Sequence, residues 1–227
     1  MLNRLQKMLK KDNFGIRMFV YLLGLFIMTL GISMSVKSNL GVSPVSSIPY
    51  SITCIFGLEM GKATILFHIC LVLLQIVILR KAFKLKNLLQ VIVGVIFGYF
   101  TTLSNYLFSF LPTPNNLALQ LLLMIGSSIL IAIGIFFYLP ADIISLAGEG
   151  AMQAIAEKTN TVFNKVKIRF DVTMVSVSLI ACLIALRKLG AVGIGTIIAS
   201  APHAGANGHF RGQRAGQRRY CAGGCAL

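Results

Sequence analysis

The chain has 227 residues, of which 56% are hydrophobic and only 12% are charged, and its mean hydropathy is +0.83. Soluble domains usually carry about 25% charged residues, so the composition excludes an ordinary soluble protein and indicates an integral membrane protein. A net charge of +15 would suit nucleic acid binding, but the placement of that charge along the chain points elsewhere.

Five apolar segments are long enough to be membrane helices, which need about 17–25 such residues. The predicted spans are 18–36, 63–79, 88–111, 117–139 and 170–186. The first span follows a basic N-terminal segment, residues 1–17. It is longer than the apolar core of a signal peptide, and no small-residue cleavage site follows it, so we interpret it as a retained helix.

Basic residues alternate between successive loops. Thirteen lie in segment 1–17 and in the loops 80–86 and 158–169, whereas the opposite loops hold four, namely Lys37, Lys62, Arg187 and Lys188. This is the positive-inside pattern, and it predicts a cytoplasmic N-terminus. The expected partner of the charge is therefore the anionic headgroups of a bacterial cell membrane, and nucleic acid is not expected.

A short polar segment, SNLGVSPVSSIPYSI at 38–52, directly follows the first span. Ser43 can cap a helix that has Pro44 as its first residue, and Gly57 is a reasonable stop. The predicted partial helix 44–56 would be ~20 Å long, too short to cross ~30 Å of hydrocarbon. It is either a re-entrant or broken helix that lines a cavity, or an interfacial helix on the membrane surface.

The same layout occurs again 103 residues later. A second partial helix is predicted at about 143–157, within LPADIISLAGEGAMQAIAEK, with Asp142 or Ser145 as its cap. The repeat unit is a span, a partial helix and two further spans, and the first repeat covers 18–111 with all three of its spans. The second repeat, 117–200, has two spans and the start of a third at 189–200. Three spans is an odd number, so the second repeat enters from the opposite side, as in many secondary transporters.

The last segment, residues 201–227, differs from the rest of the chain. Ala, Gly and Arg make up 16 of its 27 residues, and it contains no apolar run. The change falls where a sixth span is due. We therefore expect a frameshifted or chimeric end, with a basic cytoplasmic tail as the alternative, and sequencing the gene tests this. The fold class predicted from the sequence is thus an all-α polytopic membrane protein with five spans, two partial helices and an inverted repeat that lacks a sixth span.

Three stretches of sequence carry a resemblance to a known family. They are LGVSPVSSIPYSI, FGLEMGKATILFHICLVLLQIVILRK, and EGAMQAIAEKTNTVFNKVKIRFDV followed by VGIGTII. Over about residues 15–200 the chain resembles the YczE/YyaS/YitT family of bacterial membrane proteins. The resemblance implies a multi-pass protein, and in that family the GTII motif opens a further hydrophobic helix, from which this chain departs.

Ionisable residues inside a membrane are costly and are functional candidates. Glu149 lies in the second partial helix, at the position that matches Ser46, and its carboxylate can bind a cation or relay a proton. The alternative is a solvated residue on a surface helix. His68 and Asp171 occupy equivalent positions in two spans predicted to be short, and they could meet as a buried pair. Alternatively, each satisfies its own local contacts.

The two partial helices could also form a site for an anionic solute. Helix N-termini carry partial positive charge and free N–H groups. Asn39 and Asp142 can cap them, and four serines can add hydrogen bonds: Ser43, Ser46, Ser47 and Ser145. Structural capping alone would explain the same residues.

No pattern for a metal site, a cofactor or a soluble enzyme is present, because the chain has neither a phosphate-binding loop nor an HExxH motif. We expect a non-enzymatic membrane protein. The favoured function is a small secondary transporter or permease for a small solute or ion. A homodimer is one form in which it could work. The alternative is a non-transporting regulator or scaffold of a partner protein.

Overall fold

The computed structural model describes residues 14–80, 83, 85–112, 114, 116–141 and 143–186. This part of the chain forms seven α-helices. They are α1 Phe14–Ser38, α2 Pro44–Phe56, α3 Met60–Leu79, α4 Leu89–Ser109, α5 Leu117–Ala141, α6 Ala147–Thr159 and α7 Phe163–Leu186, with a 3₁₀ turn at Leu85–Leu88 before α4. Five of the helices, α1, α3, α4, α5 and α7, are long and apolar enough to cross a membrane. The predicted all-α polytopic fold is therefore confirmed.

The predicted repeat appears in the helix boundaries. An offset of 103 residues relates the first residues of α1, α2 and α3 to those of α5, α6 and α7. The helices α1 and α5 both have 25 residues, and α2 and α6 both have 13. Both partial helices end at a residue in the left-handed conformation, Gly57 with φ 67° and Asn160 with φ 50°. The two halves thus repeat each other element by element.

The helices α1 and α5 run antiparallel, so the repeat is inverted. Gly24 of α1 lies against Gly134 and Tyr138 of α5, whereas Gly31, further along α1, lies against Ser127, which is earlier in α5. The residue number rises along one helix as it falls along the other. The absence of side chains at Gly24 and Gly31 lets the two backbones approach closely, as small residues do in membrane bundles.

Each partial helix packs on a spanning helix of the other half, α2 on α7 and α6 on α3. On α2, Ser47 contacts the carbonyl of Met174 at 3.4 Å, and Ser51 contacts Ser178 at 2.5 Å and Cys182 at 3.3 Å. The residue numbers rise together, so α2 lies along α7 rather than across it. This arrangement matches the broken-helix alternative and does not match a helix lying flat on the surface.

The break between α1 and α2 lies inside the bundle. Asn39 and Gly41 have φ values of 57° and 119°, which end α1 and reverse the chain, and Val42 is only 1% exposed. Ser38 contacts the sulfur of Met124 at 3.8 Å. Met124 is about 10 Å along α5 from its first residue, at 1.5 Å per residue. Irregular backbone at this depth needs protein partners, and the Ser35 hydroxyl supplies one by donating to the Gly41 carbonyl at 3.0 Å.

Two predicted boundaries are wrong. The last span begins at Phe163 rather than 170, so it has 24 residues and is not short. Its first two turns contain Lys165, Lys167 and Arg169, and such side chains have good helix propensity and can extend their charged ends to the membrane surface. The second partial helix begins at Ala147 rather than 143, because residues 143–146 are held in an extended path by tertiary hydrogen bonds described below.

The helix α4 covers the first half of the molecule. Its Ser104 hydroxyl bonds to Thr29 of α1 at 3.0 Å, and a Cβ on its Gly98 would lie 2.8 Å from the carbonyl oxygen of Gly61 in α3. Gly94 lies one turn earlier on α4, and a Cβ there would lie 2.7 Å from the Cβ of His68, so both glycines allow close contact between α4 and α3. The counterpart of α4 in the second half would fall at 192–212, outside the described residues.

Candidate functional site

The N-terminal ends of α2 and α6 meet in the middle of the molecule. A Cβ placed on Gly148 would lie 3.6 Å from Cγ1 of Val45. These residues are 103 positions apart, so the pseudo-two-fold axis that relates the halves passes between them. Both helices therefore begin at the axis and run away from each other, each towards its own face of the bundle.

Neither N-cap residue caps its helix start with its own side chain. Ser43 and Leu146 occupy the N-cap positions with nearly equal backbone angles, φ −60°, ψ 151° and φ −59°, ψ 152°, and neither makes a side-chain cap hydrogen bond. The first N–H groups of a helix have no intrahelical partner and carry its partial positive charge. The two uncapped starts thus place partial positive charge at the centre of the bundle.

The predicted capping residues have other roles. Asn39 ends α1 in the left-handed conformation rather than capping α2. Ser145 precedes the N-cap residue Leu146, so the prediction that Ser145 caps the second partial helix is wrong. Asp142 itself lies outside the described residues. Ser43 does stand at the N-cap of α2, but its hydroxyl donates to Ser46 at 3.0 Å rather than to the backbone.

The serines of α2 divide between the helix start and the contact with α7. Ser43 and Ser46 lie at the start, where a small pocket is lined by Val36, Asn39, Gly41, Val42 and Tyr50. Ser47 is completely buried, donates to the Pro44 carbonyl at 2.6 Å and lies against Met174. Ser47 therefore stabilises helix packing, and Asn39, Ser43 and Ser46 remain near the candidate site.

Glu149 is held by a tyrosine network at the start of α6. The Tyr138 hydroxyl donates to Glu149 Oε2 at 2.9 Å and accepts from the Leu146 amide at 2.7 Å. The Tyr21 hydroxyl donates to the Ile144 carbonyl at 2.9 Å, and its ring centroid lies 5.4 Å from that of Tyr138. These bonds hold residues 143–146 extended and explain why α6 begins at Ala147.

Burial raises the pKa of the Glu149 carboxyl above its ordinary value. The hydrogen bond from Tyr138 and the positive charge of Lys167 act in the opposite direction. Arg17 adds a second cationic side chain at this end of the bundle, where it donates to the Ala141 carbonyl at 2.7 Å. Glu149 is partly buried and hydrogen-bonded, so it does not occupy the solvated surface position that was the alternative.

On the opposite side of α6, two glutamines form a buried amide cluster. Gln75 donates to Gln90 at 2.9 Å and to the Ala147 carbonyl at 3.1 Å, and Gln90 donates to Ser145 at 3.3 Å. Gln75 is fully buried, yet its Oε1 has no hydrogen-bond partner among the residues that the structure describes. The cluster joins α3 and α4 to the start of α6.

His68 and Asp171 do not form the predicted pair in the described part of the chain. His68 is buried, and its Nδ1 lies 2.8 Å from the Thr64 carbonyl while its ring packs against Phe97. Asp171 is partly buried and interacts with Lys167, one turn earlier in α7. The ion pair that the structure does give in this part joins Lys62 to Glu59 at 3.5 Å. His68 and Asp171 thus each make contacts close to their own position in the chain.

Sequence reasoning missed Tyr21 and Tyr138 as part of the Glu149 site. Tyr21 and Tyr138 lie inside apolar spans, where a tyrosine fills space as phenylalanine does. The weak signal available was the hydroxyl, which needs a partner when buried. Tyr138 lies in α5 and Glu149 in α6, so no helical period connects them.

The described residues contain no group of three or more His, Cys, Asp or Glu that could hold a metal.

Comparisons with known proteins give the family. A family model matches residues 15–202, most of the chain. The chain belongs to DUF6198, a family of unknown function. It is similar to the uncharacterized membrane protein YczE of Bacillus subtilis (strain 168), with 26% identity over 190 residues, 83% of this chain and 82% of YczE. It is also similar to the uncharacterized protein YyaS of the same organism, with 25% identity over 182 residues, 78% of this chain and 84% of YyaS. No solved structure matches the chain significantly.

Membership of DUF6198 confirms the family resemblance found in the sequence to YczE and YyaS. The family match ends at residue 202, next to the change of composition at residue 201. Residues 187–227, with the expected third span of the second repeat, lie outside the described residues. The altered reading frame therefore stays a prediction.

Proposed function

We propose that this member of DUF6198 is a small secondary transporter or permease for a small solute or ion. One observation carries the proposal: the uncapped starts of two partial helices meet at the pseudo-two-fold axis of an inverted repeat. Transporters of several folds bind substrate where discontinuous helices begin near the centre of the bilayer, between two inverted repeats. Helix starts attract anionic groups there, and a carboxylate attracts a proton or cation.

The proposed site lies between Val45 and Gly148. Asn39, Ser43 and Ser46 contribute from the first half, and Ser145 and Glu149 from the second, together with Asp142, which is outside the described residues. Rocking of one repeat against the other would open this place alternately to the two sides. The proposal gives these residues binding roles and includes no catalytic role, metal or cofactor.

Reconstitution of the purified chain in liposomes tests the proposal. A panel of radiolabelled small solutes and ions would be screened for uptake, and a hit would be repeated with Glu149→Gln. We expect the variant to reduce uptake without reducing membrane insertion. Glu157→Gln is the matched control, because Glu157 lies on the same helix but is exposed.

The outcomes separate the candidate functions. Equal uptake by Glu149→Gln and the unchanged protein would contradict the role of Glu149. An absence of solute flux together with co-purification of a stoichiometric partner would favour a non-transporting regulator or scaffold instead.

We further propose a location in the bacterial plasma membrane with the N-terminus in the cytoplasm. The placement of basic residues supports this orientation, and Arg17, near the start of α1, donates to the carbonyl of Ala141 at the end of α5. Assembly as a homodimer and a relationship that extends to YitT belong to the same proposal. Accessibility of an N-terminal tag in intact cells and in inverted vesicles measures the orientation.

A further inference from the structure

We propose that Glu149 is the proton-coupling site of this protein, where a proton bound at the hydrogen bond to Tyr138 drives solute movement. This inference rests on the proposed function and names its coupling ion. The step is an acid–base exchange with water: the carboxyl O–H bond breaks as the proton passes to water on one side, and an O–H bond forms with a proton from the other side. No oxidant, reductant or covalent intermediate is needed.

Tyr138 allows Glu149 to be hydrogen-bonded in both protonation states. With the carboxylate ionised, the tyrosine hydroxyl donates to Oε2 at 2.9 Å. With the carboxyl protonated, its O–H can donate to the tyrosine oxygen, because a hydroxyl has two acceptor positions and the Leu146 amide, at 2.7 Å, occupies one of them. The site can therefore take up or lose a proton without leaving either side chain unpaired.

The network connects the carboxyl to the start of a partial helix. Leu146 is the N-cap residue of α6, and its amide binds the same tyrosine oxygen that would receive the proton of Glu149. A change at Glu149 therefore alters the hydrogen bonding that positions the beginning of α6. That beginning is the part of the second repeat that meets Val45 of the first.

The side chains around Glu149 suit a proton better than a metal cation. Around Glu149, α1 contributes Tyr21, α5 contributes Tyr138, and α7 contributes Lys167. From α3, the neutral amide of Gln75 faces α6, and His68 is turned to the Thr64 carbonyl. A proton needs a single basic oxygen, which the Glu149 carboxylate supplies, whereas a bare metal cation would need several further oxygen ligands.

The opposite half holds neutral side chains at the matching positions. Glu149, Tyr138 and Tyr21 correspond to Ser46, Ser35 and Met124. Ser35 donates to the Gly41 carbonyl, which corresponds to the Ile144 carbonyl that accepts from Tyr21. In both halves, therefore, a hydroxyl group donates to the same backbone carbonyl position. The neutral pair Ser46 and Ser35 of the first half is replaced in the second half by Glu149 and Tyr138, which can ionise. A coupling proton needs one such site.

Infrared difference spectroscopy of the full chain in liposomes, between acid and neutral pH, tests whether Glu149 titrates. We expect the C=O band of a protonated carboxyl to persist at pH values above the ordinary pKa of glutamate, since burial raises the pKa of Glu149. The band should be lost in Glu149→Gln and kept in Glu157→Gln. In Tyr138→Phe it should titrate at higher pH, because a hydrogen bond that lowers the pKa is removed.

Proton movement is then followed with a pH-sensitive dye trapped in the liposomes, as the solute found in the uptake screen is added. We expect proton movement with the unchanged protein and with Glu157→Gln, and its loss with Glu149→Gln. No band assignable to Glu149 would overturn the proposal. A band without solute-driven proton movement would overturn the coupling while leaving a transporter. No uptake of any solute would overturn the transporter proposal, and the coupling with it.

Discussion

Glu149 and Gly150 are neighbours that face opposite sides of α6. Glu149 binds the tyrosine network on α1 and α5. At Gly150 the missing side chain leaves room for the buried amides of Gln75 and Gln90. One helical turn thus joins both halves of the molecule, and the residues on it are constrained on two sides.

Adding a methyl group at Gly150 should destabilise the protein. A Cβ there would lie 2.6 Å from Gln90 Nε2 and 2.9 Å from Gln75 Oε1, and both glutamines are buried and hydrogen-bonded. Forcing atoms into a packed core costs about 1–3 kcal/mol. We expect Gly150→Ala to lower the midpoint of thermal unfolding measured in detergent.

Gly148→Ala is the matched control for this change. Its new methyl group would meet Val45 at 3.6 Å, an ordinary contact distance, in the same turn of the same helix. Alanine also favours helix over glycine by about 1 kcal/mol. A loss of stability in Gly148→Ala as large as in Gly150→Ala would contradict the assigned crowding.

At the scale of the helices, the antiparallel pair of α1 and α5 forms the centre of the fold. Small residues one above another, Gly24 and Gly31 on α1 with Ser127 and Gly134 on α5, bring the two backbones together. The contacts obey the pseudo-two-fold relation, because the pair of Gly24 with Gly134 corresponds to the pair of Ser127 with Gly31. In lipid, where the helices gain little from hydrophobic burial against each other, this close packing is a main source of association.

Gly24→Ala should weaken this pair. Its Cβ would lie 2.6 Å from the backbone nitrogen of Tyr138 and 2.9 Å from the carbonyl oxygen of Gly134, and backbone atoms cannot move aside as a side chain can. We expect a loss of about 1–3 kcal/mol in the free energy of unfolding, measured by denaturant titration in mixed micelles. Gly15→Ala, in the same helix and with no atom of the described residues within 4 Å of its Cβ, should leave stability unchanged or raise it.

Local sequence signals were sufficient for some elements and not for others. The bounds of α2 follow from Pro44 at its start and Gly57 after its end, and both act within the helix itself. The start of α6 depends on Tyr21 and Tyr138, which are distant in sequence, so local capping rules placed it too early. The sequence predicts the start of α7 too late, because Lys165, Lys167 and Arg169 are also typical of a loop.

At the scale of the whole molecule, the repeat could be predicted because an ungapped offset of 103 residues is visible in the sequence. The contact partners of the candidate residues could not be predicted. His68 and Asp171 occupy matching positions, but matching positions meet only where the axis passes close to both, as it does at Val45 and Gly148. The same geometry supplies a test of the two-fold arrangement.

Cysteines at Val45 and Gly148 should form a disulfide between the repeats. A Cβ on Gly148 would be 3.6 Å from Cγ1 of Val45, and the Cβ of Val45 is one bond from that atom, so two cysteines fall near the ~3.5–4.5 Å that a disulfide requires between Cβ atoms. The five native cysteines would first be replaced by alanine. A protease site inserted between α4 and α5 would make the link visible as two fragments that separate only after reduction.

The pair Val45→Cys with Glu157→Cys is the control, because each fragment then carries one cysteine while Glu157 is exposed and lies about 14 Å further along α6 than Gly148. If the repeats rock about the axis, the disulfide holds the two helix starts together, and it should stop uptake until a reducing agent is added. Fragments that separate without reduction would show that the helix starts do not meet. A disulfide that forms but leaves uptake unchanged would place the moving parts elsewhere in the bundle, since a covalent link across the axis cannot remain intact while the helix starts separate.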